Sequence, residues 1–195
     1  LIAEKPPYGG FVFQPEPFWP DEVVVHSTYG KARTAMVDAD FCRSLKYQEQ
    51  QWRALRIGAH PEMLLFTTLL IAKAKRLNIP LFASEIVRTH ERQSALYREG
   101  FSNAQGAKAP HPFGCASDIV HSKLGWKLEP KQWELIGKLG KELAIQRGIK
   151  VTWGGDWPPI KNDVGWDPAH WQLKHWRQEM TGFPFMPPSK GVPLK

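Results

Sequence analysis

The longest apolar run of the chain, Met63 to Ala72, follows Pro61 and Glu62 and is closed by Lys73. A proline in the first turn and apolar side chains on most faces predict a central helix from Pro61 to about Asn78. Ile79 to Thr89 then reads as a strand. Thr89 is placed to cap a short helix that runs through Glu99 and stops at Gly100. Residues 101–110 read as a loop, and Cys115 to Val120 as a second short strand. The next helix starts at Pro130, carries Trp133, Ile136, Leu139 and Leu143 on one face, and ends at Gly148. Lys150 to Trp153 and His170 to Leu173 complete the strands. This order predicts an α+β fold, a single small domain in which a short, mostly antiparallel sheet packs with about three helices. No internal repeat is visible.

The ends have another character. Residues 1–22 contain Pro6, Pro7, Pro15, Pro17 and Pro20, and set Glu4, Glu16, Asp21 and Glu22 against Lys5 alone. Such proline density predicts an extended arm rather than regular structure. Residues 181–195, with Pro184, Pro187, Pro188 and Pro193, predict a similar tail. The folded domain is thereby expected over 23–180.

Composition narrows the classes. At 195 residues, 42% hydrophobic and 23% charged, the chain has an ordinary globular mix and enough length for a real core. The net charge of +7 favours an anionic partner. The positive residues are scattered, the closest group being Lys73, Lys75 and Arg76, and no nucleic-acid motif appears, so no nucleic-acid partner is expected. The apolar run is too short to span a bilayer, which predicts no membrane insertion. Cys42 and Cys115 cannot form a disulfide framework and lack thiolate zinc spacing. No secretory signal peptide opens the sequence, which starts at Leu1 without Met. Seven of the nine tryptophans fall between Trp126 and Trp176, so the second half carries an aromatic concentration.

Two clusters carry chemistry. In Ala109-Pro-His-Pro-Phe-Gly-Cys-Ala-Ser-Asp118, the prolines stiffen the backbone around His111, and Pro112 predicts extended dihedrals for it. The small residues Gly114 to Ser117 permit close approach before Asp118. An imidazole and a carboxylate held this way would make two ligands for a divalent metal. The same pair also suits a loop cap and a carboxylate bonded to a backbone amide. In Gly165-Trp-Asp-Pro-Ala-His-Trp-Gln-Leu173, Pro168 argues against helix at Asp167, and a turn delivering His170 onto a strand fits better. His170 would be a third ligand and Asp167 a free general base. The alternative is a structural aspartate cap beside a half-buried histidine.

His111-x-x-Gly114-x-Ala116-x-Asp118 followed by Asp167-x-x-His170 resembles the zinc D-alanyl-D-alanine carboxypeptidases and L-alanyl-D-glutamate endopeptidases, a family of peptidoglycan peptidases that includes bacteriophage endolysins. Val87-Arg-Thr-His-Glu-Arg-Gln-Ser-Ala-Leu-Tyr-Arg-Glu-Gly100 is similar to the family's Arg-Thr…Gln-x-x-Leu-Tyr…Gly segment. Trp153-Gly-Gly-Asp-Trp157 is similar to the stretch before its final histidine. The match covers roughly residues 80–175, with order and spacing respected.

The resemblance implies one Zn²⁺ held by His111, Asp118 and His170, with Asp167 as general acid/base and Arg88 stabilising the oxyanion. Arg92, on the solvated face of its helix, is the lesser candidate for that last role. Gln93 matches a recurrent family glutamine, structural or substrate-orienting in role. Trp153, Trp157, Trp166 and Trp171 flank the motif either as core packing or as an apolar wall for the substrate's peptide stem or sugar. Gln93 and Trp171 are the expected substrate-binding residues. The implied activity is cleavage of peptidoglycan stem peptides, as a cell-wall-degrading monomer whose diffuse positive charge helps it find the wall. A non-catalytic zinc-bearing module of the same fold, as in Hedgehog-type signalling domains, is the alternative, and Asp167 argues against it. The family usually has serine where this chain has Ala109, which bears on specificity. Cys115 is expected to be an inert buried thiol, and His121, three residues after Asp118, to face away from the site.

Overall fold

The computed structural model describes residues 27–179, so the arm over 1–22 and the tail over 181–195 lie outside the described residues. The fold is α+β. Three short helices, α1 (Gly30–Met36), α2 (Ala39–Arg43) and α3 (Leu45–Gln50), precede the long α4 (Pro61–Arg76). Strand β1 (Leu81–Glu85), α5 (His90–Arg98), β2 (Ala116–His121), α6 (Pro130–Arg147), β3 (Val151–Trp153), β4 (His170–Leu173) and α7 (Trp176–Glu179) follow. The four strands form one sheet in the order β1-β2-β4-β3, with every pair antiparallel.

Local chemistry explains the boundaries. Helix α4 has Pro61 in its first turn and His60 as its cap, whose Nδ1 accepts from the Glu62 amide at 3.3 Å. The Thr89 hydroxyl accepts from the Arg92 amide at 3.1 Å and starts α5. Helix α6 opens with Glu129 and Gln132 in a reciprocal capping box and ends at Gly148, whose φ of 66° is the left-handed turn that glycine adopts without strain. The region 28–50 was assigned no element from the hydrophobic pattern, because its helices are too short to show a period. Their caps are what start them: Asp38 accepts from the Phe41 amide, and Ser44 from the Tyr47 amide.

Helices α4 and α6 cover one face of the sheet. Phe66 of α4 packs on Trp171 of β4 at 5.0 Å between ring centroids, and Trp171 stacks on Trp153 of β3 at 5.8 Å. Two glycines let α6 lie this close. A Cβ at Gly137 would stand 2.4 Å from the Trp153 ring, and one at Gly140 would stand 2.4 Å from the Trp171 ring. Lys73, one of the closest group of positive residues in the sequence, is 4% exposed, its Nζ lying 3.4 Å from both the Leu139 carbonyl and Glu142. Its position on α4 faces α6, and its aliphatic stem fills that seam.

The opposite face of the sheet carries the polar residues. Asp118 and His170 are direct cross-strand partners in the β2–β4 ladder, so they project to the same side. No helix among the described residues is long and apolar enough to cross a membrane.

Candidate metal centre and its surroundings

Three pieces of backbone deliver the ligand atoms. Asp118 and His170 come from adjacent strands, and His111 from a tight turn ahead of β2. That turn differs from the sequence expectation. His111–Phe113 form a single 3-10 turn rather than an extended segment, because Gly114 and Cys115 donate back to the His111 and Pro110 carbonyls at 3.0 and 3.1 Å. The gain of these bonds outweighs the steric preference imposed by Pro112. Gly114 closes the turn at φ 64°, and a Cβ there would meet the Gly58 carbonyl at 2.2 Å. No other residue fits.

Ligand atoms of His111, Asp118 and His170 all lie within 4.8 Å of one another. His111 Nδ1 is 2.9 Å from the Ile86 carbonyl, so it carries the proton and leaves the Nε2 lone pair facing Asp118 Oδ1 at 3.1 Å. His170 Nε2 is 3.2 Å from Gln172 Oε1, which leaves Nδ1 facing the same Asp118 oxygen at 3.0 Å. With both rings neutral, two imidazole lone pairs and a carboxylate therefore converge with no proton among them. Such a constellation calls for a cation.

The three groups are electrostatically coupled. Burial alone would raise the Asp118 carboxyl, yet the charge and hydrogen bonds of the two histidines hold it well below the usual carboxylate range. Burial alone would lower His170, yet its hydrogen bond to Asp118 and the charges of Asp118 and Asp167 raise it. The donor set fits Zn²⁺, since three nitrogen and oxygen ligands with a fourth position open is the pattern of a catalytic site. Cys115 does not close it: its thiol is buried and points to the Phe113 carbonyl at 3.3 Å.

Arg88 lies against this cluster. Its Nη2 donates to Asp118 Oδ2 at 3.2 Å and to Glu85, and its Nη1 donates to Gln93 Oε1 at 2.7 Å. Glu85 sits opposite Asp118 at an irregularity in the β1–β2 ladder. Arg92 is exposed, as its helix position implied. Asp167 is half-buried on the turn entering β4, and its backbone carbonyl accepts from the His170 amide at 3.1 Å. Burial raises its carboxyl above the ordinary value, and the charge of Asp118 adds to this against the opposing pull of His170, His111 and Arg88.

Both expected substrate-binding residues need correction. Trp171 follows His170 on a strand, so its ring points to the other face, where it is fully buried against Phe66 and Trp153. It is core. Gln93 is also fully buried, with its amide nitrogen donating to Ser102 and the Ala104 carbonyl while its oxygen holds Arg88. It positions Arg88 and meets no solvent. The aromatic residues beside the site are instead Trp157, whose ring centroid is 5.2 Å from that of His170, and Trp166, 5.8 Å from Trp157 and 44% exposed.

Glu85, the Ile86 carbonyl and Gln172 also contact the cluster, and none of them is among the residues expected from the sequence. Gln172 had a signal, because residues two apart on a strand share a face. Glu85 had none without the register of β1 against β2. His121, set apart from the site by strand alternation, is buried with its Nε2 2.9 Å from the Met36 carbonyl.

No family model matches the sequence, and no curated protein matches it. Solved structures do. The fold is similar to the Serratia marcescens L-Ala D-Glu endopeptidase ChiX, with TM-score 0.50 and 27% identity over 70% of this chain and 91% of that one. The chain resembles the zinc peptidoglycan peptidases. A mutant of the vancomycin resistance D,D-pentapeptidase VanY, solved in complex with Zn(II), also matches, with TM-score 0.41 and 13% identity over 63% of this chain and 78% of that one.

Proposed function

We propose that the chain is a zinc-dependent peptidase that cleaves peptidoglycan stem peptides and degrades bacterial cell wall. The observation that carries this reading is the convergence of His111, Asp118 and His170 within 4.8 Å, with their lone pairs turned inward. The 27% identity to an L-Ala D-Glu endopeptidase favours the L-Ala–D-Glu bond over the D-Ala–D-Ala bond.

His111 Nε2, His170 Nδ1 and an Asp118 carboxylate oxygen would hold the metal. Zn²⁺, when bound, supplies Lewis acidity and lowers the pKa of a bound water to about 7. Asp167 accepts the proton of the attacking water on its carboxylate and returns it to the leaving amine nitrogen. Its partly buried position suits a proton acceptor better than a solvated carboxylate. Arg88, already fixed by Glu85 and Gln93, keeps a positive charge beside the reacting carbonyl oxygen. Ile86 and Gln172 fix the tautomers of the two histidines, so that each offers its lone pair.

A synthetic stem peptide containing an L-Ala–D-Glu bond tests the reading. Chelator-treated protein is expected to leave it intact, and added zinc to restore release of the N-terminal alanine. Cleavage that persists through complete metal removal would overturn it.

A further inference from the structure

Beside the turn that carries Asp167, an open groove of about 420 Å³ is lined by Trp133, Pro159, Trp166 and Pro168, with Lys161 and Asn162 at its polar edge. We propose that this groove binds a sugar of the glycan strand, an N-acetylated hexosamine, and thereby selects glycan-linked stem peptides over free ones. The proposal rests on the peptidase reading for what the sugar is attached to.

Trp166, Asp167 and Pro168 are consecutive, so the wall of the groove and the proposed proton acceptor share one turn. The ring of Trp157 touches His170 on one side and Trp166 on the other, which makes an aromatic track two ring contacts long. A ligand held on Trp166 therefore lies next to a substrate held at the site.

The lining chooses the ligand. An extended peptide added to a protein surface needs rows of backbone donors and acceptors. Prolines cannot donate, and Pro159 and Pro168 both stand in this wall. What the groove offers instead is an exposed indole, Trp166, with a lysine and an asparagine in the same lining. A pyranose ring matches that surface, with its C–H face on the indole and its hydroxyl and acetamido groups toward Lys161 and Asn162.

The lip is also preformed. Lys161 and Val164 exchange both backbone hydrogen bonds, at 2.9 and 3.1 Å, across a two-residue turn. Asn162 and Asp163 take left-handed dihedrals there, φ 51° and 68°, as such turns require. Lys131 of α6 lies 3.6 Å from the Asp163 carboxylate and 2.8 Å from Glu134. A groove held in shape this way gives up little freedom on binding.

The test has two arms. In the first, zinc-free protein is titrated with the disaccharide N-acetylglucosaminyl-N-acetylmuramic acid, while indole N–H signals are followed by NMR. Saturable shifts of the Trp166 and Trp157 signals are expected, lost in Trp166→Ala and partly kept in Trp166→Phe. Absence of shifts, or shifts confined to other tryptophans, would overturn the proposal. In the second arm, zinc-loaded protein is given a stem peptide with and without the disaccharide. The glycan-linked form is expected to be cleaved with about tenfold higher kcat/KM than the free peptide, and in Trp166→Ala that ratio is expected to fall to about one. Equal cleavage of both forms by wild type would refute it. If neither form is cleaved but the disaccharide still binds at Trp166, the peptidase reading falls and the sugar site stands.

Discussion

Arg88 donates to one oxygen of Asp118 at 3.2 Å, while the other oxygen of the same carboxylate is shared by His111 and His170 at 3.1 and 3.0 Å. The arginine therefore braces the proposed metal ligand Asp118 as well as presenting charge to the candidate site. Arg88→Ala leaves Glu85 and Asp118 without their cation. Zinc affinity is expected to fall about 10–100-fold, and kcat/KM by about 10²–10³. Arg88→Lys is not expected to restore either, because an ammonium cannot span Gln93, Glu85 and Asp118 at once. Zinc competition against a chromogenic chelator, with kinetics on a stem peptide, measures both.

Asp167 and His111 separate proton transfer from metal binding. Asp167→Ala is expected to keep one zinc per chain and to lose about 10²–10⁴ in kcat. His111→Ala is expected to lose the zinc and the turnover together. Metal analysis of the dialysed variants beside their kinetics makes the distinction, and a zinc-free Asp167→Ala would show that residue to be a ligand.

The core under the site sets its rigidity. Trp171→Ala is expected to cost about 3–5 kcal/mol of stability. Gly140→Ala, which forces a methyl against the Trp171 ring, is expected to cost about 1–3 kcal/mol. Urea denaturation monitored by tryptophan fluorescence checks both values.

Much of this was legible in the sequence, and particular residues show why. Pro61, Thr89, Pro130 and Gly148 mark helix ends by local chemistry, so α4, α5 and α6 could be placed to within a few residues. Asp118 and His170 are brought together by the sheet and His111 by the turn ahead of it, whereas their spacing alone left a structural reading open. The sequence hid what depends on facing. Trp171 looked available for substrate because of its neighbours along the chain, but strand alternation turns it into the core. Gln93 looked like a substrate contact because of its motif, but the 101–105 loop folds over it and takes its amide. Helices α1 to α3 were silent because five to seven residues are too few for an amphipathic period.

His121 carries a pH dependence separate from the metal. Its Nε2–H donates to the Met36 carbonyl, and its Nδ1 accepts from the amides of Lys123 and Leu124 at 3.2 Å. Protonation of Nδ1 would break both turn bonds, and burial already lowers the imidazole below its ordinary value. The unfolded chain therefore takes up the proton first as pH falls. The stability His121 contributes is full above about pH 6.5 and declines as pH drops toward the folded-state value. His121→Phe is expected to be less stable than wild type at pH 7.5, and the gap to narrow by pH 5. Urea midpoints at the two pH values test this, and a gap that widens toward acid would contradict it.

The central claim is that a zinc site on this sheet hydrolyses peptide bonds of the bacterial wall. Its most direct test is digestion of purified peptidoglycan by wild-type protein, by the same protein after chelation and zinc reloading, and by Asp167→Ala, with products identified by mass spectrometry. The account expects new stem-peptide termini, foremost at L-Ala–D-Glu, from the wild-type and reloaded protein and none from the chelated protein or the variant. Peptide products released by the chelated protein, or by Asp167→Ala at the wild-type rate, would contradict it.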